Sequence, residues 1–103
     1  MAMKPEARVK HKIKTVLNLH NAYHFFPSMN GYGRAGVPDI IACVNGYFLA
    51  IECKAGSNKP TALQKLELAA IMEAGGVALV VNETNIDDVT KVIDALRNAP
   101  RAT

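Results

Sequence analysis

Cysteine is scarce in this 103-residue sequence, which contains only Cys43 and Cys53. The two do not form a Cys-x-x-Cys pair, so neither a zinc site nor a disulfide framework is indicated, and both are expected to be core thiols. Long apolar runs are also missing: no stretch approaches about 18 uninterrupted apolar residues, and the first residues lack the apolar centre of a signal peptide. We therefore expect a cytoplasmic protein with no membrane partner.

The composition that remains is typical of a single compact domain over residues 1–103, with 50% hydrophobic and 20% charged residues. The net charge of +3 is uneven, because residues 1–60 hold eight Lys/Arg and three acidic residues, whereas the rest holds four and six. A polyanion is expected to bind the basic half, although a solvated helix face gives the same pattern. The candidate nucleic-acid-binding residues are Arg8, Lys10, Lys12, Arg34 and Lys59.

The first part of the chain predicts a helix over residues 5–23, because Pro5 suits a first turn and apolar residues recur at three- and four-residue spacing. Glu6 shares this inward face. Phe25 and Phe26 then begin a short extended segment, which Pro27 makes an edge strand. The glycine-rich stretch 30–36 predicts a loop in which Tyr32 and Arg34 either contact DNA or only form a flexible connection; no Gly-Lys-Ser/Thr follows, which excludes a P-loop.

A β-hairpin is the firmest structural prediction. Two apolar segments, Asp39–Val44 and Tyr47–Lys54, are joined by Asn45-Gly46, the strongest short signal for a two-residue turn. Because both hairpin faces are apolar, we expect an α/β fold in which helices cover the sheet on each side.

The second half predicts helix, strand and helix. Thr61 and Gln64 have the spacing of a capping box, and the helix that they open would bury a stripe of apolar residues before stopping at glycine. That stripe comprises Leu63, Leu66, Ala70 and Ile71. A buried strand at residues 77–81 follows, then a helix capped by Thr84 and a frayed tail at residues 100–103.

The hairpin register places two carboxylates opposite each other. With a two-residue loop, Asp39 pairs with Glu52, Lys54 projects on the same face, and Cys53 on the other. Opposed carboxylates destabilise a sheet unless a cation neutralises them, and oxygen ligands are what Mg²⁺ or Mn²⁺ prefers. Lys54 would then hold or help deprotonate an attacking water, or stabilise charge on a phosphate; no organic cofactor is implied.

Simpler interpretations remain for single residues. Asp39 can be a turn residue after Pro38, and Glu52 with Lys54 an edge pair at a strand end. His20 and His24 can share a helix face as metal ligands, or be partly buried or DNA-facing side chains. The joint pattern of Gly-Val-Pro-Asp and Glu-Cys-Lys is far more specific than any of its parts.

These residues resemble the PD-(D/E)XK nuclease superfamily, and their setting is similar to its VRR-NUC branch. The resemblance implies a restriction-endonuclease-like core in the order αβββαβα, with a mixed central sheet flanked by helices. It implies that Asp39, Glu52 and the main-chain carbonyl of Cys53 bind Mg²⁺ or Mn²⁺, and that Lys54 is catalytic. Glu6 would be the acidic residue of the first helix, and Gln64 either a polar residue near the site or only a helix cap.

The resemblance also implies a substrate, since stand-alone members of the branch resemble structure-specific DNA nucleases and Holliday junction resolvases. The two symmetric strands of a four-way junction suggest a homodimer. One departure is that residues 78–82 contain no arginine where the Val-Arg-Arg-like segment is expected. The alternatives are a non-catalytic basic nucleic-acid-binding module and, less favoured in so short a chain, a sequence-specific restriction-type nuclease.

Overall fold

The first helix, α1, spans Pro5–Leu19 in the computed structural model, which describes residues 3–28 and 33–103. Its buried residues are Val9, Ile13 and Leu17. The helix ends four residues before the predicted boundary because Asn21 adopts a left-handed conformation with φ 52°, which interrupts the helical hydrogen-bond ladder.

Among the described residues, four strands form one mixed sheet in the order β1-β2-β3-β4. The strands are β1 (Tyr23–Phe25), β2 (Ile40–Val44), β3 (Tyr47–Cys53) and β4 (Val77–Val81). The first three are antiparallel, and β4 runs parallel to β3. With α2 (Ala62–Glu73) and α3 (Asp87–Asn98), the order is αβββαβα, so the predicted fold class is confirmed.

The hairpin between β2 and β3 has the predicted turn and register. Asn45 and Gly46 have φ angles of 54° and 84°, the left-handed pair that a type I′ turn requires. Ile40 pairs with Ile51, as the two-residue loop predicts. The strands are one residue shorter at the open end than expected, since β2 begins after Asp39 and β3 ends before Lys54.

One face of the sheet carries the hydrophobic core, against which α1 and α3 pack. Ile40, Leu49 and Ile51 are fully buried there, and Val89 and Ile93 of α3 lie opposite. Burying these side chains is the main source of stability for the fold. In the described part of the chain, none of the helices is long and apolar enough to cross a membrane.

The other face of the sheet is covered less than predicted. The expected stripe of α2 is wrong: Leu63 and Leu66 are exposed, and Leu68 is the residue that the helix buries. Val80 of β4 is also exposed, because β4 is an edge strand of the described sheet rather than a buried one. Cys43 lies on this face and is exposed, so it is not a core thiol.

The two ends of α3 differ from the sequence predictions. Thr84 does not cap the helix; its N-cap is Ile86, and the Thr84 hydroxyl donates to Asn82 Oδ1 instead. The tail after the helix is not frayed at its start, because the Tyr47 hydroxyl donates to the carbonyl of Pro100 and the Ala102 N–H donates to the carbonyl of Asn45. The end of the chain is thus attached to the hairpin turn.

Candidate active site

Acidic and basic side chains from α1, β2 and β3 meet at the open end of the hairpin. Asp39 immediately precedes β2, Glu52 is the penultimate residue of β3, and Lys54 follows that strand. Glu6 and Lys10 reach the same place from α1, since residues four apart lie on one face of a helix. The fold therefore brings together five residues that are distant in sequence.

Asp39 and Glu52 adjoin the last paired residues of the hairpin, Ile40 of β2 and Ile51 of β3. The Asp39 carboxylate accepts the backbone N–H of Cys53 through Oδ2 at 2.8 Å. Glu52 is 1% exposed, and its Oε1 atom has no hydrogen-bond partner among the described residues. A buried carboxylate oxygen without a partner is costly, so this atom is suited to a ligand.

The electrostatics of Glu52 reflect this burial. Burial, with a further contribution from the nearby Asp39 carboxylate, raises the pKa of Glu52 from its ordinary 4.5 to about 7, against the opposing effect of the hydrogen bond and charge of Lys54. The site therefore disfavours a second negative charge at neutral pH. A cation placed against the two carboxylates would remove that penalty.

Lys54 is held as a buried cation beside Glu52. Its Nζ lies 3.2 Å from Glu52 Oε2 and 4.0 Å from Glu6 Oε1, and the residue is 9% exposed. The backbone N–H of Lys54 donates to the carbonyl of Val81 at 2.9 Å, which continues the β3–β4 pairing past the end of the strand. The main chain of Lys54 is thus fixed by pairing with β4, and its amine by the two carboxylates.

The donor set fits a divalent metal of the magnesium class. Mg²⁺ commonly takes one or two protein carboxylates and completes its shell with water and substrate phosphate oxygens. Asp39 and Glu52 supply those carboxylates, and Glu52 Oε1 is the unpartnered oxygen. In residues 3–28 and 33–103 there is no cluster of three or more His, Cys, Asp or Glu side chains, so a closed structural site of the zinc type is not formed there.

The side chain of Cys53 takes no part in this chemistry. Burial, with a contribution from the Asp39 charge, raises the pKa of the Cys53 thiol to about 12, so it stays protonated at neutral pH. Cys53 points into the core, on the opposite sheet face from Cys43, and both are free cysteines. This agrees with the sequence prediction that excluded a disulfide.

Known proteins show the same fold and family. A family model described as archaeal Holliday junction resolvase (Hjc) matches residues 25–96. A protein of Acyrthosiphon pisum secondary endosymbiont phage 1, named "Putative nuclease p44", is 30% identical over 86 residues, which are 82% of this chain and 89% of that protein. The chain belongs to the Hjc family.

A solved structure of a VRR_NUC domain supports the same fold. It superposes with a TM-score of 0.70 at 23% identity, covering 89% of this chain and 97% of the other. The structural likeness confirms the fold that the resemblance implied. The family match and the phage relative support a nuclease. The family match includes Asp39, Glu52 and Lys54, whereas Glu6 lies outside it.

Two polar residues predicted from sequence have structural partners elsewhere in this Hjc-family chain. Gln64 completes the capping box of α2: its Oε1 accepts the N–H of Thr61 at 2.8 Å, and its own N–H donates to the Thr61 hydroxyl at 3.2 Å. Arg34 forms an ion pair with Glu67 of α2. Their roles in catalysis and DNA binding stay predictions.

The other predicted DNA-binding residues lie on α1 and in the loop between β3 and α2. Arg8 and Lys12 line a cavity of about 490 Å³ between α1 and the loop after Lys54. Lys59 is exposed in the loop that leads to α2. Tyr32 lies outside the described residues.

The predicted histidine pair does not share a helix. Because α1 ends at Leu19, His20 is its C-cap residue and His24 lies in β1. The His24 ring is positioned by a 2.8 Å contact between Nδ1 and the carbonyl of Ala22. The two residues therefore lack the i,i+4 geometry that a helical metal site needs.

Sequence reasoning missed Phe26, which lies beside the basic residues of α1. The Nζ atoms of Lys10 and Lys14 are 5.6 and 5.7 Å from its ring centroid. The available signal was the i,i+4 spacing of the two lysines, which puts both on one side of α1. Nothing in the sequence alone indicated that β1 would bring an aromatic ring to that side.

Proposed function

We propose that this chain is a divalent-metal-dependent endodeoxyribonuclease that hydrolyses phosphodiester bonds in branched DNA, with Holliday junctions as the principal substrate. Residues 1–103 would form a single nuclease domain. The observation that carries the proposal is the buried, unpartnered oxygen of Glu52 beside Asp39 and Lys54. Mg²⁺ or Mn²⁺ is the expected cofactor, and no organic cofactor is required.

Three groups would hold the metal ion: the carboxylates of Asp39 and Glu52 and the main-chain carbonyl of Cys53. When bound, such an ion polarises a phosphoryl oxygen, activates water and stabilises the leaving alkoxide. The Lys54 ammonium, fixed 3.2 Å from Glu52, holds the attacking water or stabilises the negative charge that develops on the phosphate. Glu6, 4.0 Å from Lys54, orients that ammonium from the helix side.

DNA binding would use the basic side chains around this centre. Arg8 and Lys12 line the cavity beside the loop after Lys54, and Lys10 lies 3.9 Å from Asp39. Lysine and arginine bind phosphates without reading base sequence, which suits a nuclease that recognises the shape of a branch. Arg34 and Lys59 would extend the contact beyond the catalytic centre.

A homodimer suits a junction substrate, because a four-way junction presents two symmetric strands to cut. The family description supports this substrate class. The face of the sheet opposite the core exposes three large apolar side chains, Tyr23, Phe25 and Phe48. Contiguous apolar surface of this kind is typical of protein interfaces, so we place the dimer contact there.

The decisive experiment is a cleavage panel over four-way junctions, flaps, single strands and linear duplex, each with Mg²⁺, Mn²⁺ or EDTA. We expect cleavage of the branched substrates only with a divalent ion, and none by Asp39→Asn. Titration calorimetry with Mn²⁺ should show binding to the parent and weaker binding to Asp39→Asn. Salt-sensitive DNA binding without cleavage under any metal would replace this proposal with the non-catalytic binding module.

A further inference from the structure

Phe26 forms a small basic and aromatic cluster next to the active site. The residue follows β1 and is 37% exposed, so its ring is accessible to a ligand. Lys10 and Lys14 of α1 place their ammonium groups 5.6 and 5.7 Å from the ring centroid, and the ring of His24 meets it edge-on at 6.1 Å. We call Lys10, Lys14 and Phe26 the Phe26 cluster.

This arrangement leaves charge unbalanced. Two lysines four residues apart on a helix repel each other, and here both ammonium groups are also drawn to the same ring. The described ion pairs give Lys10 one distant carboxylate partner, Asp39 at 3.9 Å. Phosphate oxygens beside the ring would relieve the repulsion.

The cluster adjoins the catalytic centre through Lys10. The same Nζ atom that lies near the Phe26 ring also lies 3.9 Å from Asp39 Oδ1, one of the two carboxylates assigned to the metal. One lysine head group therefore separates the ring from the metal ligand. A single nucleotide can bridge that separation, with its phosphate near Lys10 and its base on the ring.

We propose that the Phe26 cluster binds one unpaired DNA nucleotide next to the scissile phosphate. The base stacks on Phe26, and Lys10 and Lys14 bind the flanking phosphates. Aromatic rings accept any base in this way, so the contact selects for an unpaired nucleotide rather than for sequence. The position relative to the cut rests on the proposed nuclease function; binding of a single-stranded nucleotide does not.

The first test measures binding without cleavage. Fluorescence anisotropy of a labelled single-stranded oligodeoxythymidine, in EDTA at low salt, should show about tenfold weaker binding by Phe26→Leu, because the stacking surface is lost. Phe26→Tyr keeps the ring and should bind within about twofold of the parent. Lys14→Ala should reduce the slope of the logarithm of the binding constant against the logarithm of salt concentration by about one, which corresponds to one phosphate contact. Lys91→Ala, which removes an exposed lysine of α3, should leave that slope unchanged.

The second test compares two cleavage substrates that differ only in pairing of the nucleotide beside the cut. The parent and Phe26→Tyr should prefer the unpaired substrate, and Phe26→Leu should lose that preference without losing cleavage of the paired one. An unchanged preference in Phe26→Leu, or equal oligonucleotide binding by Leu and Tyr variants, would overturn the inference. A parent that binds through Phe26 but cuts nothing would contradict the proposed function alone.

Discussion

Glu52 carries a stability cost that its proposed role as a metal ligand would explain. Its carboxylate is 1% exposed and its Oε1 has no partner among the described residues, which destabilises the fold. Lys54 and the burial of Cys53 hold it in place nonetheless. Such local costs are typical of active sites, where the residue is positioned for a ligand rather than for the free protein.

The raised pKa of Glu52 predicts how stability depends on pH. The folded protein holds the Glu52 proton up to a pH of about 7, whereas the unfolded chain releases it near 4.5. The folded state therefore binds more protons between these values, so the free energy of unfolding should fall as pH rises through that window, by at most about 3 kcal/mol. Urea titrations of the metal-free protein between pH 4.5 and 8 measure this.

Two comparisons make the pH experiment specific. Glu52→Gln should flatten the curve, whereas Glu73→Gln, an exposed carboxylate of α2, should leave it unchanged. Adding Mn²⁺ at pH 7.5 should raise the Tm of the parent and not that of Glu52→Gln, because only the parent retains the Glu52 carboxylate that would bind the ion. Equal pH dependence in parent and Glu52→Gln would mean that another group is responsible.

Lys54 is the residue whose loss should separate chemistry from binding. Lys54→Ala should reduce the rate of junction cleavage by at least about 100-fold, because it removes the positioned cation next to the reacting phosphate. Junction affinity, measured in Ca²⁺ or EDTA, should change little, since other basic residues contact the DNA. Lys91→Ala is the matched control, and cleavage by Lys54→Ala at the parental rate would disprove the catalytic assignment.

At the scale of elements, the hairpin links the active site to the end of the chain. Its open end presents Asp39 and Glu52, while its turn is held by the segment after α3. The Asn45 side chain donates from Nδ2 to the carbonyls of Leu96 and Ala99, each at 2.9 Å. These bonds link the turn to the C-terminal end of α3, where the Leu96 carbonyl also accepts the Ala99 N–H at 3.3 Å.

Asn45→Gly tests this connection. Glycine keeps the left-handed turn but removes both side-chain hydrogen bonds, so the free energy of unfolding should fall by about 1–2 kcal/mol. Asn21→Gly is a matched control, because Asn21 also has a positive φ and makes no side-chain hydrogen bond within the described residues. Thermal and urea unfolding of the two variants measure the difference; equal stability would show that the side-chain bonds contribute nothing net.

An element could be predicted from the sequence where neighbouring residues alone determine its structure. Asn45-Gly46 defines turn and register within four residues, and that register alone placed Asp39 opposite Glu52. The end of α1 at Leu19, before the left-handed Asn21, and the start of α3 at Asp87, after the N-cap Ile86, depend on backbone conformations that the apolar periodicity does not reveal. The burial of Leu68 instead of Leu63 depends on how α2 sits against β4, which periodicity does not reveal.

The partly covered sheet face matters at the scale of the whole molecule. One face holds the core under α1 and α3, and the other leaves aromatic residues at its surface. The proposed cleavage of two symmetric strands would need two copies in a fixed relation, and this apolar surface is where we propose that they meet. The site on each copy would then be independent in chemistry and coupled only through the substrate.

Phe48→Glu should test the dimer. Phe48 is 45% exposed on this face, and a charge there should shift the protein to monomer in analytical ultracentrifugation. Paired incision of one junction should fall, while single nicks persist. Leu19→Glu, at an exposed position at the end of α1, is the control that should stay dimeric. A parent that sediments as a monomer at all concentrations would contradict the assembly.

The attachment of residues 99–102 to the hairpin turn has a practical consequence for experiments on single molecules. Along β3 the turn lies roughly 20 Å from Glu52 and Lys54, since a strand rises about 3.3 Å per residue. A tether or fluorophore attached near Ala102 would therefore leave from the side of the domain remote from the candidate active site. Molecules immobilised in this way should present the candidate active site to DNA in solution.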